Sequence, residues 1–207
     1  TISKDYYLGE TEVTQALWVE VMHYNPSCYQ DQNKPVENVN WKDCQEFVDE
    51  LNKKTGRKFR LPTEAEWEFA ARGGNKSHGY RYSGSNTAGD VAWSYGCPDS
   101  LTHTVGLKQP NELGLYDMSG NVSERCANDN ATEEENLDEN GNLNYGKIIR
   151  GGSISYAGGF LGLGAIRVPA TDCEVSKRVS DSGTNRLRGF RIVMPVLPFP
   201  AVITELK

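Results

Sequence analysis

The sequence is poor in the residue types that most often build metal and redox centres. It holds three histidines, at 23, 78 and 103, and five cysteines, at 28, 44, 97, 126 and 173, with no Cys-x-x-Cys among them. A zinc site needs clustered ligands, so this spacing argues against one. An odd number of cysteines leaves at least one free thiol or an intermolecular partner, and the redox compartment stays undecided. Basic residues are in deficit as well: 22 Lys and Arg against 28 Asp and Glu give a net charge of -6 and a pI near 5.2. A phosphate backbone is gripped by a basic face, so no nucleic-acid partner is expected. No apolar run reaches the roughly 20 residues of a bilayer crossing, so no membrane span is expected either. The first residues show no leader pattern, and the chain opens as though inside a domain. Secreted, cell-surface and virion-associated settings all stay open.

What is present fits one globular domain over residues 1–207: 37% hydrophobic residues, 24% charged, and many glycines and tyrosines with only short apolar runs. Residues 5–13 read as a strand. Thr14 then stands where an N-cap belongs, ahead of a helix over Gln15 to Met22 with Leu17, Trp18, Val21 and Met22 as its apolar stripe. A second helix follows Asn40 as cap and Asp43 in the first turn. Cys44, Phe47, Val48 and Leu51 repeat along it at i, i+3, i+4, i+7, and Gly56 comes soon after its end. Thr63 and Glu66 form a capping box before a short helix that turns Trp67, Ala70 and Ala71 inward. Glutamates at 64, 66 and 68 read as that cap plus solvated first-turn carboxylates rather than acid–base groups. From Gly73 to Pro110 the chain is loop-like. A Gly-bearing turn over 111–124 leads into a strand, and residues 128–146 read as an acidic surface hairpin or loop. Arg150, Arg178, Arg186 and Arg191 are expected to pair with acidic groups and hold the last strands in register.

One stretch differs from all of this. Ser155 to Ile166 carries no charge, yet has neither a helical nor an alternating period. Its four glycines argue against a buried helix, since each costs about 1 kcal/mol relative to alanine. An irregular loop with aromatic and aliphatic groups is expected there. Ser155, Tyr156, Phe160, Leu161, Leu163, Ile166, Val168, Asp172, Val179, Ser180, Asp181, Asn185 and Leu187 are the candidate ligand contacts: apolar anchors beside adaptable polar groups, the mixture antibody loops use. The alternative is that the apolar half folds under and completes the core.

Four blocks carry a family resemblance: Glu12-Val13-Thr14-Gln15 with Trp18; Arg60 to Glu68; Gly114 to Val122; and Arg150-Gly151-Gly152-Ser153 with Gly189-Phe190-Arg191. Together they resemble the formylglycine-generating-enzyme/sulfatase-modifying-factor domain, a variant of the C-type lectin fold. The resemblance implies an α+β architecture with few helices, short antiparallel strands and much irregular loop. Members usually begin with a further Gly-rich strand, which this sequence does not contain ahead of Thr1. The family's turn commonly ends Gly-Asn-Val-Trp-Glu-Trp; here Ser123 and Arg125 replace both tryptophans. Catalytic members use two cysteines after the Gly-Gly-Ser element to bind copper, and those places hold Tyr156 and Leu161. A phenol and an alkyl group cannot replace soft thiolates, so no catalytic residues and no enzyme activity are expected. A copper-dependent oxidase remains the alternative only if Cys173 meets a distant thiol such as Cys126. An iron site of the family's sulfoxide synthases would need more than three scattered histidines. No cofactor is required, although the family often carries structural calcium and Asn121, Val122 and Glu124 match one such site.

The expected function is thus a non-catalytic ligand-binding protein whose residues 154–188 form the recognition surface. The expected partner is a protein or cell-surface molecule. A structural or accessory surface role is a further alternative. One subgroup of the fold, the variable proteins of diversity-generating retroelements, displays a hypervariable C-terminal segment on a fixed scaffold. Adenine-directed mutation of its codons cannot yield Trp, Met, Gln, Lys or Glu. From Ser153 to Phe190 this chain avoids all five except at Glu174 and Lys177.

Overall fold

The computed structural model describes residues 2, 4–94, 101–127, 148–154, 170–180 and 187–196. The chain begins with β1 (Tyr6–Leu8), followed by α1 (Gln15–Met22), α2 (Trp41–Thr55), α3 (Glu64–Ala71) and the single turn α4 (Ala88–Val91). Among the described residues, strands β2 (Ser123–Arg125), β3 (Ile148–Arg150), β4 (Arg178–Ser180), β5 (Arg188–Gly189) and β6 (Val193–Pro195) follow. Short 3-10 turns at Gly74–Lys76 and Ala170–Cys173 punctuate the loops among those same residues.

Local chemistry sets the helix ends where the sequence places them. Thr14 accepts the Leu17 N–H, while Asn40 with Asp43 and Thr63 with Glu66 form reciprocal capping boxes. Helix α2 buries Cys44, Phe47, Val48 and Leu51 and ends on Gly56 in the left-handed region. On α1 the expected stripe is corrected: Leu17 is exposed, and Gln15 takes the buried place instead. Its amide answers Tyr29, Pro35, Asn25 and Asp31, so a polar side chain sits inside with its hydrogen bonds made.

The strand expected over 5–13 is ladder-paired only at Tyr6–Leu8, antiparallel to β6. Beyond Leu8 backbone bonds to the C-terminal segment continue singly, Gly9 N–H to Ile192 O and Val13 N–H to Phe190 O. The Arg191 guanidinium donates to the Gly9 and Glu10 carbonyls, and Tyr116 N–H donates to Glu10 O. A second sheet has the order β4-β3-β2-β5. Its β2–β5 pair is parallel, Ser123 opposite Arg188, where antiparallel strands were expected. The other pairs, and β1 with β6, are antiparallel.

The main core lies between α1, α2 and the C-terminal segment. Trp18 stacks on Phe47 at 5.2 Å, and Phe190 meets both edge-on. A second cluster gathers Trp67, Ala70, Ala71, Leu115, Met118, Cys126 and Val175 between α3 and the sheet. Most described residues of the 73–110 connection lack regular structure, but side chains hold them. Asn111 donates to Ala70 O and Ser83 Oγ and accepts from Leu113 and Leu115, while Trp93 stacks on His103 at 3.8 Å.

Candidate recognition surface

The candidate segment 154–188 hangs from the four-stranded sheet, and its described flanks are tightly fixed. After β3 the chain turns through Gly151 and Gly152, both with positive φ. A Cβ at Gly152 would collide with the carbonyl of Asp172, so only glycine lets the two passes of chain come together there. Ile154 is buried and donates its N–H to Asn121 O. On the returning side, Ser119 Oγ donates to Cys173 O, Val175 N–H to Arg81 O, and the Arg150 guanidinium to the carbonyls of Val175 and Ser176. The described flanks of the stretch 155–169 are therefore held against each other at Gly152 and Asp172.

Four candidate contacts lie among the described residues. Asp172 is partly exposed and pairs with Lys177 at 3.1 Å. Val179 sits on β4 with 43% of its surface exposed, an apolar group facing water. Ser180 pairs in register with Ile148. Leu187 takes the Ser123 N–H on its carbonyl and is partly buried, which makes it a link to β2 as much as a contact. Ser155, Tyr156, Phe160, Leu161, Leu163, Ile166, Val168, Asp181 and Asn185 lie outside the described residues, as does the acidic stretch 128–146.

Glu66 makes the expected cap, but Glu64 and Glu68 are ion-paired rather than simply solvated. Glu64 pairs with Arg178 at 2.8 Å and faces Arg150 at 3.4 Å; Glu68 pairs with Arg72 and Arg150; Glu66 holds Arg60 bidentately. The Glu68–Arg72 pair is local, but the others to Glu64 and Glu68 are tertiary: β3 and β4 present Arg150 and Arg178 to the helix, which no local reading detects. Arg150 and Arg191 are fully buried, and with Arg178 they do pair with acidic groups as expected. Arg186 lies outside the described residues. For Glu66, burial opposes ionisation, but the Arg60 guanidinium and the Thr63 N–H outweigh it and hold its carboxyl below the usual range.

The residues matched to calcium are placed together but otherwise engaged. Asn121 Oδ1 accepts from His103 N–H at 2.9 Å, and its amide faces His103 O. Val122 is buried. The Glu124 carboxylate takes Trp67 Nε1 at 2.8 Å and Arg191 Nε and Nη2 at 2.6 Å each. A guanidinium already neutralises Glu124, so a cation there would have to displace Arg191, and this donor set does not fit calcium. Among the described residues no group of three His, Cys, Asp or Glu is arranged to hold a metal.

Nor do the described thiols meet. Cys126 packs in the Trp67 cluster and Cys173 in a separate one with Tyr82, Val91 and Ala92. Burial, and then the neighbouring Asp172, push the Cys173 thiol up to about 12, so it stays protonated and unreactive. Burial drives the Cys44 thiol up as well.

Glu12, which carries no functional mark in the sequence, sits in the strand-like approach to α1 and is almost wholly buried. The local sign of that burial is a carboxylate among residues otherwise fit for a core, in the stretch Glu12-Val13.

The model of the sulfatase-modifying factor enzyme 1-like domain matches residues 1–196. The chaperone protein LppX of Paenibacillus barcinonensis is 36% identical over 59% of this chain and 61% of its own length. The formylglycine-generating enzyme of Streptomyces coelicolor is 33% identical over 58% of this chain and 42% of its own length. The inactive C-alpha-formylglycine-generating enzyme 2 of Bos taurus is 30% identical over 58% of this chain and 38% of its own. The matches thus span between 38% and 61% of these relatives. Treponema denticola variable protein 1 superposes with a TM-score of 0.73 at 31% identity, covering 91% of this chain and 84% of that one.

Proposed function

From a chain that belongs to the sulfatase-modifying factor enzyme 1-like domain family, we propose a ligand-binding protein that catalyses nothing and displays residues 154–188 as its recognition surface. The observation that carries this reading is the pair of anchors at Gly152 and Asp172. Buried Ile154 and Cys173 fix the chain on either side of a stretch whose composition is apolar, aromatic and small-polar. A scaffold closed up to the edges of such a stretch allows its side chains to change without disturbing the core. Likeness to Treponema denticola variable protein 1 supports retroelement diversification of that segment. Likeness to an inactive formylglycine-generating relative supports the lack of catalysis, as do Tyr156 and Leu161 in the places of the copper-binding cysteines.

The ligand on this reading is a protein or cell-surface molecule, met by Tyr156 and Phe160 as anchors with Ser155, Asp172 and Asn185 at the margin. Replacing Tyr156 and Phe160 by alanine should abolish capture of a cell-surface ligand and leave the Tm unchanged. A collapse in Tm would show instead that these rings belong to the core. Diversification is tested in the surrounding DNA: a near-copy of the codons for 153–190 beside a reverse transcriptase is the expected finding. Stoichiometric copper uptake with oxidation of peptide cysteine would overturn the non-catalytic reading.

A further inference from the structure

Beneath the N-terminal segment, three carboxylates converge on one guanidinium. Glu12 is buried just ahead of the Thr14 cap, and neither of its carboxylate oxygens has a hydrogen-bond partner. The charged groups that face it are Asp117 from the turn before β2, Glu124 from β2 itself, and Arg191 from the C-terminal segment. Asp117 accepts from the Gly106 N–H through Oδ2, while its Oδ1 is buried without a partner. Lys108 acts on Asp117 from the preceding loop.

The donors of Arg191 are all spoken for. Nε and Nη2 hold Glu124 at 2.6 Å, Nη2 also meets Tyr116 O, and Nη1 meets the carbonyls of Gly9 and Glu10. One positive charge is thus matched by Glu124, and nothing donates to Glu12. A buried carboxylate with no donor and two like charges nearby is strongly disfavoured. A proton relieves it most cheaply, because the neutral acid loses the repulsion and gains an O–H that can be donated.

We propose that Glu12 is held as a neutral carboxylic acid in the folded protein, so that the joint between the N-terminal segment, β2 and the C-terminal segment takes up a proton on folding and loosens as pH rises. In support, burial first, then Asp117 and Glu124, raise the Glu12 carboxyl well above its ordinary 4.5. Burial raises Asp117 in the same direction. An acid whose folded-state pKa is raised contributes stability that is fully present below its unfolded pKa. That stability is lost as pH climbs through the folded value.

The test is unfolding of the full chain by denaturant from pH 4 to pH 9, comparing wild type with Glu12→Gln. The glutamine is neutral at every pH and nearly isosteric. At the acid end the two should unfold alike. Above it, the wild-type unfolding constant should rise relative to the variant by up to about tenfold per pH unit, the slope of one proton, and then level off. Asp117→Asn keeps an acceptor for Gly106 and removes one repelling charge, so its decline should level off at a lower pH than wild type. Parallel wild-type and Glu12→Gln curves would overturn the proposal, as would calcium stabilising wild type but not the variant, which would make the guest a cation. Should Glu12→Gln fail to fold, proton uptake on refolding wild type in weak buffer decides the matter: uptake supports the proposal and no uptake refutes it.

Discussion

Arg191 shows how much one side chain can organise. Its guanidinium reaches Glu124 on β2, the Gly9 and Glu10 carbonyls of the N-terminal segment and Tyr116 of the turn, all without exposure to water. A buried ion pair adds little compared with an apolar pair, but breaking one side of it leaves a charge stranded. Glu124→Gln should therefore cost about 3–5 kcal/mol, read as a fall in denaturant midpoint with little change in slope. The pairing of Arg150, Arg178 and Arg191 with acids was legible in the sequence as an expectation for the group. Which acid each would find was not. Glu64, Glu68 and Glu124 lie between 67 and 114 residues away in sequence from those arginines, and only the fold brings them together.

At the scale of elements, the helices were the most legible part. Their signals are local: a Thr or Asn cap, an acid three residues on, and an apolar stripe at 3.6-residue spacing. Asn40→Ala removes the acceptor for the Asp43 N–H and half of a reciprocal cap. It should lower stability by about 1 kcal/mol, seen in thermal unfolding. Strands were less legible because they are only two or three residues long among the described residues, too short for alternation to register. Beyond Leu8 the strand read over 5–13 keeps only single backbone bonds to the C-terminal segment, and Arg191 takes the Gly9 and Glu10 carbonyls. The parallel β2–β5 pair leaves no trace in local composition either. At Asn121, Val122 and Glu124, which were matched to calcium by motif, the Arg191 that engages the Glu124 carboxylate comes from 67 residues downstream.

For the whole molecule, the cysteine pattern gives a readout of packing. Cys44, Cys126 and Cys173 are buried in three different core clusters, and Cys28 is exposed. A thiolate is the reactive form, and burial suppresses it at Cys44 and Cys173. Under native conditions a thiol reagent should label at most two of the five cysteines, Cys28 and Cys97. The remaining three should react only at the rate of unfolding, which peptide mapping of the labelled protein checks.

The contact of Gly152 with the Asp172 carbonyl has a consequence for the length of chain between them. Joining two chain ends costs entropy that grows only with the logarithm of the span, about 0.6 kcal/mol for each doubling. Because the scaffold brings the flanks together through its own bonds at Gly152 and Asp172, lengthening the passage between them adds little closure entropy. In chain entropy alone, length there is a cheap variable, and a doubled passage would shift the folding equilibrium by less than about a factor of three.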